Sequence, residues 1–77
     1  MAEVWRAFEV DIGTPGYGFT AVVLDKPPQV ISNRHGTWHV EPDLFLADLT
    51  MSEHRYIEWL VREIDPATVK VPPEFLA

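Results

Sequence analysis

Residues 19–24, FTAVVL, form a nearly continuous apolar run that decides the predicted fold. The run is short, contains β-branched residues, and is bounded by Gly18 on one side and by residues 26–28 (KPP) on the other. A run of this length and composition is typical of a β-strand that is buried on both faces. It therefore predicts the central strand of a sheet, which ends at the prolines because proline lacks the N–H that a strand ladder needs.

The segments on either side of this run predict the neighbouring strands. Residues 4–12, VWRAFEVDI, largely alternate between apolar and polar side chains, which indicates a strand with one buried face. The glycines of residues 13–18 favour a turn, so this strand and the apolar run form a hairpin with a long loop. Residues 29–32 and 37–40 flank the turn at residues 33–36 (NRHG) and predict a second hairpin.

The clearest helical pattern covers residues 51–64. Residues 50–53 (TMSE) match a capping box, in which the first hydroxyl accepts from the first turn and the glutamate reaches back. Asp65 is expected to end the helix, because a residue that precedes proline avoids the α conformation. The apolar residues that recur with the spacing of one helical face are Ile57, Leu60, Val61 and Ile64.

Together these segments predict an α+β fold, in which a small antiparallel sheet of three to five strands packs one face against a single amphipathic helix. Residues 1–66 are expected to form one compact ββββα domain. Residues 67–77 are expected to form a proline-containing C-terminal tail that is extended or loosely docked. The expected core residues are Val4, Phe8, Val10, Val22, Leu24, Ile57, Leu60, Val61 and Ile64.

Composition and charge narrow the classes of function. A chain of 77 residues with no cysteine forms a small domain without disulfides or thiolate metal sites. It starts without a secretory signal pattern and has no apolar stretch long enough to span a bilayer, so we expect a cytoplasmic protein with no membrane partner. The net charge is −6, and residues 41–65 hold seven acidic residues against two arginines. Such a segment repels nucleic-acid phosphate and attracts basic surfaces.

No motif in the sequence indicates catalysis, a metal or a cofactor. The histidines at positions 35, 39 and 54 lack the spacing of a metal-binding motif. Ser32 lies in no nucleophile-elbow motif, and the glycines of residues 13–18 lack the spacing of a nucleotide-phosphate loop. We therefore expect a protein that is not an enzyme and that has no catalytic residues, no metal ligands and no cofactor.

Trp59 lies on the side of the predicted helix that is opposite the apolar stripe, between Arg55 and Arg62. A large exposed aromatic side chain beside arginines is typical of a contact surface. The alternative is that the tail, which contains Phe75 and Leu76, folds back and covers this ring.

The leading functional hypothesis is a non-catalytic protein-interaction module that places an acidic, aromatic surface on the basic surface of a protein partner. It would act as an inhibitor or adaptor, for example toward a nucleic-acid-handling protein, by analogy with phage-type inhibitors in size and charge only. Glu63 and Asp65 lie at the C-terminal end of the predicted helix, where the helix dipole disfavours negative charge. Acidic residues in such an unfavourable position indicate a role in binding. The expected partner-binding residues are Trp59, Arg55, Arg62, Glu63, Asp65, Tyr56, Glu41, Asp43 and Asp48.

Two other functions stay open. One is a self-associating structural subunit of a larger assembly, with Trp59 in a homodimer interface. The other follows from residues 16–19 (GYGF), which resemble an aromatic strand element of RNA-recognition and cold-shock domains. Because aromatic rings of those domains stack on bases, the resemblance implies weak single-stranded nucleic-acid binding through Tyr17 and Phe19. The net negative charge disfavours nucleic acid as a partner.

Overall fold

The computed structural model describes residues 2–12, 18–50 and 59–77. These residues form the strands β1 (Val4–Asp11), β2 (Phe19–Asp25), β3 (Pro28–Ser32), β4 (His39–Val40) and β5 (Leu60–Ile64), with a short helix α1 (Leu46–Thr50) before β5. The strands make one antiparallel sheet in the order β4-β3-β2-β1-β5. Two 3₁₀ turns, Pro66–Thr68 and Pro73–Phe75, follow β5. The predicted antiparallel sheet is therefore confirmed.

β2 is the middle strand of the five, as its apolar run predicts. Phe19, Ala21 and Val23 pack on one face of the sheet, while Val22 and Leu24 pack on the other. All five side chains are buried, so the sheet has an apolar cluster on each of its two faces. A sheet of this kind needs a covering layer on both sides.

The first apolar cluster lies on what we call the helix face, because α1 covers part of it. Leu44 and Leu49 come from the covering segment, residues 41–50, and Trp59 completes the layer. The sheet residues of this cluster are Phe8, Val10, Phe19, Ala21, Val23 and Val30.

The opposite side of the sheet is the tail face, where residues 69–76 of the C-terminal tail pack. Ala2 is buried there, and its N–H donates to the carbonyl of Leu76 over 3.0 Å. The tail is thus attached to the sheet, which differs from the loosely docked tail expected from its prolines. The tail residues that pack on this cluster are Val69, Val71, Phe75 and Leu76.

A β-bulge in β1 changes which face its first residues occupy. The register runs from Val4 opposite Leu24 directly to Arg6 opposite Val23, so Trp5 is the extra residue. As a result Val4 packs on the tail face, whereas Phe8 packs on the helix face. The sequence alternation places Val4 and Phe8 on one face, and that expectation is wrong because alternation alone does not reveal a bulge.

The prediction of a helix that continues to Ile64 is wrong. Residues 60–64 form β5, which pairs antiparallel with β1, with Val61 opposite Val10 and Ile64 opposite Ala7. The free backbone groups at the β1 edge offer this segment a strand ladder, and a strand also divides its apolar residues between both faces. Val61 is half-buried on the helix face and Ile64 on the tail face. Leu60, predicted as core, is exposed.

The part of the predicted helix at residues 51–58, with Ile57, lies outside the described residues. Thr50, the predicted N-cap, is the last residue of α1, and its hydroxyl donates to the carbonyl of Leu46 over 3.0 Å. Within the described ranges α1 has five residues, and no packed amphipathic helix is present there. None of the helices in these ranges has the length and apolar character needed to cross a bilayer.

Two salt bridges, one on each face of the sheet, join β5 to β1. Arg6 donates two hydrogen bonds to Glu63, from Nε over 2.8 Å and from Nη2 over 2.6 Å. Nη2 of Arg62 donates one hydrogen bond to Oε2 of Glu9, so that the charges are exchanged between the strands in this second pair. The hydrogen bonds from Arg6 lower the pKa of the Glu63 carboxyl. Partial desolvation raises this pKa, and the positive charge of Arg6 lowers it further. This position at the sheet edge is therefore stabilised by charged pairs as well as by backbone hydrogen bonds.

Glu63→Gln should reduce stability at neutral pH, and the loss should vanish in acid. A carboxylate whose pKa is lowered by folding contributes stability above its unfolded pKa of about 4.3, and this contribution disappears as pH falls through the folded pKa. Urea unfolding of both proteins between neutral pH and pH of about 2 measures the difference. Glu74→Gln, an exposed change in the last 3₁₀ turn, is the control. A difference that persists unchanged in acid would contradict the assignment.

Candidate functional site

Trp59 is buried in the helix-face cluster and is 9% exposed, so the expected exposed ring is wrong. Its ring meets the ring of Phe19 edge to face, with the centroids 5.4 Å apart. The guanidinium carbon of Arg34 lies 5.9 Å from the Trp59 ring and 5.7 Å from the Phe19 ring. Phe19 covers Trp59, whereas the tail lies on the opposite face. Because the Phe19 ring is itself buried, it is not presented for stacking on a base.

The acidic and basic residues predicted near the end of the helix stabilise other elements instead. Arg62 and Glu63 form the salt bridges between β5 and β1. The Oδ1 atom of Asp65 accepts from the N–H of Ala67 over 3.0 Å and caps the turn Pro66–Thr68. Because Glu63 lies on a strand, the helix-dipole argument does not apply to it. The predicted site residues Arg55 and Tyr56 lie outside the described residues.

Glu41, predicted as a surface contact, is buried and 6% exposed. Its Oε2 atom accepts from the Ser32 hydroxyl over 2.7 Å, and its Oε1 atom accepts from Nη2 of Arg34 over 2.9 Å. Nε2 of His39 lies 3.5 Å from Oε2. The backbone N–H of Glu41 donates to the carbonyl of Val30 over 2.8 Å. These bonds fix the start of the covering segment to β3.

This polar cluster supports the local structure of the chain. Ser32 is fully buried, so its hydroxyl cannot contact a substrate. The rings of His35 and His39 stack with centroids 5.1 Å apart. In the ranges that the structure describes, no three histidine or acidic side chains are placed to hold a metal ion. The cluster fixes the start of the covering segment, and residues further along this segment form one wall of a groove.

An apolar groove of about 140 Å³ lies on the helix face between the sheet and the covering segment. Val23, Val30 and Leu44 line it and are buried. Trp5 and Phe45 also line it, but these two side chains are 57% and 62% exposed. Exposed large apolar side chains that cluster at a groove mark a site of interaction. We call this site the Trp5–Phe45 groove.

Carboxylates lie beside both walls of the Trp5–Phe45 groove. At the end of the sheet, Oδ1 of Asp25 accepts from the N–H of Glu3 over 2.8 Å, and Asp25 is opposite Pro28, a groove residue. On the covering segment, Oδ2 of Asp48 accepts from the N–H of Phe45 over 2.9 Å. Lys26 lies in the adjacent turn. We call four acidic residues the acidic rim: Asp25 and Asp48, which these bonds place beside groove residues, Glu3, whose N–H donates to Asp25, and Asp43, which precedes Leu44 in the chain.

Of the predicted contact residues, Asp43 and Asp48 belong to the covering segment that forms one wall of this groove, whose exposed aromatic residues are Trp5 and Phe45. The sequence alternation places the large Trp5 ring on the same side as Glu9 and Asp11, but the bulge brings it to the helix face, so the alternation does not predict its place in the groove. The sequence also contains no signal for Phe45, whose segment fits either a helical turn or an edge strand.

Trp59→Ala should lower the free energy of unfolding by about 3–5 kcal/mol, because it leaves a cavity in the helix-face cluster. Trp5→Ala, which removes a mostly exposed ring, should cost less than about 1 kcal/mol. Urea unfolding followed by circular dichroism measures both values. Equal losses for the two variants would show that the burial assigned to Trp59 is wrong.

Ser32→Ala should cost about 1–3 kcal/mol, because it removes a hydrogen bond from a buried carboxylate. Thr50→Ala is the matched control, since it removes an exposed hydroxyl that also donates one hydrogen bond, and it should change stability by about 0.5 kcal/mol or less. The same unfolding experiment compares them. If Ser32→Ala is no more destabilising than its control, the polar cluster does not hold the covering segment.

Comparisons with protein-family models, with curated proteins and with solved structures find no match for this chain.

Proposed function

We propose that this protein is a non-catalytic protein-interaction module that binds a basic partner through the Trp5–Phe45 groove and its acidic rim. The observation that carries the proposal is the pair of exposed aromatic side chains at one apolar groove in a chain of net charge −6. Aromatic side chains supply much of the binding free energy at protein interfaces. The surrounding negative charge accelerates encounter with a basic surface and disfavours acidic partners.

The proposal keeps the class of function expected from the sequence and changes the contact residues. Trp5 and Phe45 replace Trp59 as the aromatic contact residues. Asp43 and Asp48 stay in the contact surface, while Glu41 supports it from inside. The protein would act as an inhibitor or adaptor by occupying the basic surface of its partner.

The protein's own contacts hold both walls of the groove in place in the absence of a partner. Its floor consists of Val23 and Val30 on the two adjacent strands β2 and β3, both of them buried. Its other wall is formed by residues that come after Glu41 in the chain. Glu41 is fixed to β3 by side-chain and backbone hydrogen bonds. A site on rigid elements loses less conformational entropy on binding, which favours affinity.

Phe45→Ser should abolish partner capture without unfolding the protein. Immobilised wild-type protein is incubated with extract of its native cells at about 50 mM salt, and retained proteins are quantified by mass spectrometry. We expect the variant to retain the partner at least about tenfold less, because 1.4 kcal/mol of lost contact is already tenfold in affinity. Retention by the wild type should also fall at about 300 mM salt, where the Debye length is shorter.

Val40→Ser is the matched control, because Val40 is a partly exposed apolar residue on β4 that does not line the groove. It should retain the same proteins as the wild type. Equal retention by the Phe45 variant, or retention of nothing beyond a blank support, would contradict the proposed function.

A further inference from the structure

We infer that the Trp5–Phe45 groove accepts a single apolar side chain from a partner protein segment in which lysine or arginine flanks that side chain on both sides. This inference rests on the proposed function and deepens it by naming the chemistry of the bound segment. The size of the groove, the nature of its lining and the position of the charges around it all support this chemistry.

The size of the groove fits one side chain. Its volume of about 140 Å³ is close to the roughly 150 Å³ of an engineered apolar cavity that holds benzene. A leucine or phenyl group therefore fills it, whereas a helix or a second strand does not enter. The bound segment would lie across the opening, with its backbone outside and one anchor side chain inside.

The lining selects an apolar anchor. Val23, Val30 and Leu44 form the buried part of the lining and carry no polar side-chain atoms. A polar group inserted among them would leave water without gaining hydrogen bonds, which is unfavourable. The partly exposed rings of Trp5 and Phe45 can then close over the anchor and bury further apolar area.

The charges around the opening select cations on both sides of the anchor. The N–H of Glu3 donates to Asp25 at the end of the sheet, and Asp25 is opposite the groove residue Pro28. Asp43 and Asp48 belong to the covering segment that carries Phe45. Because these two acidic pairs belong to different walls, a segment that crosses the groove passes both of them. Lysine or arginine before and after the anchor would meet opposite charge at each side.

The same charges argue against other occupants. A second copy of this chain that used the same groove would bring its own acidic rim against this one, and like charges disfavour that contact. Phosphate-rich ligands are repelled for the same reason. A basic segment of a different protein is therefore the occupant that the groove favours.

Synthetic peptides test the inference directly. The probe is the peptide GKKLKKG, titrated into ¹⁵N-labelled protein at about 50 mM salt to limit screening. The readout is the shift of the Trp5 indole N–H signal, from which the dissociation constant is fitted. This signal is assigned by its absence from the spectrum of the Trp5→Phe variant. We expect saturable shifts at Trp5 and Phe45, at least tenfold weaker binding of GKKSKKG, and no binding of GEELEEG.

Two protein variants separate groove binding from general charge attraction. Phe45→Ser should weaken GKKLKKG at least tenfold, and Val40→Ser should leave it unchanged, while the dispersion of the spectra shows that both variants are folded. Equal binding of GKKLKKG and GKKSKKG, or undiminished binding to the Phe45 variant, would overturn the inference. Light scattering tests whether a second copy occupies the groove. A wild-type dimer that Phe45→Ser converts to a monomer would also overturn the inference.

The inference and the proposed function fail separately. If a partner is captured through Phe45 but GKKLKKG does not bind, the protein is an interaction module whose groove has a different preference. If GKKLKKG binds in the groove but no cellular protein is captured, the groove chemistry is supported and the interaction function is contradicted.

Discussion

The burial of β2 on both faces is the constraint from which the rest of this structure follows. An apolar strand at the centre of a sheet requires a layer on each side, and a small domain has little chain to supply them. Here residues 41–50 and Trp59 cover one face, while residues 69–76 cover the other. The layer on the helix face leaves Trp5 and Phe45 partly exposed, and the groove lies between them. The candidate site is thus the uncovered part of the core.

The buried polar cluster explains how so short a covering segment keeps its place. A buried carboxylate is unfavourable unless it is paired and hydrogen-bonded, and Glu41 meets both conditions through Ser32 and Arg34. Arg34 also lies near the rings of Phe19 and Trp59, so one guanidinium contacts both the polar cluster and the helix-face core.

The sequence predicts the sheet well because its strands have strong local signals. The apolar run of β2, the alternation in β1 and the turns around β3 need no information from distant residues. The segment at residues 60–64 is different, since its apolar spacing fits a helix and also fits a strand between two covering layers. The open edge of β1, more than fifty residues away in the chain, decides in favour of the strand. The site is also difficult to predict from the sequence, because the bulge at Trp5 and the hydrogen bonds that fix Glu41 depend on tertiary contacts.

The opposed salt bridges of β5 also bear on aggregation. An outer strand exposes backbone groups that can pair with another molecule, and natural proteins discourage this with charged side chains. In β5 the exposed side chains of Arg62 and Glu63 carry opposite charges on opposite faces of the sheet, and each is matched to β1. A foreign strand that competes for this place must carry the complementary charge on each face to do equally well. The same four residues that hold β5 in place therefore disfavour, at the β1 edge, any strand that lacks this pattern of charges.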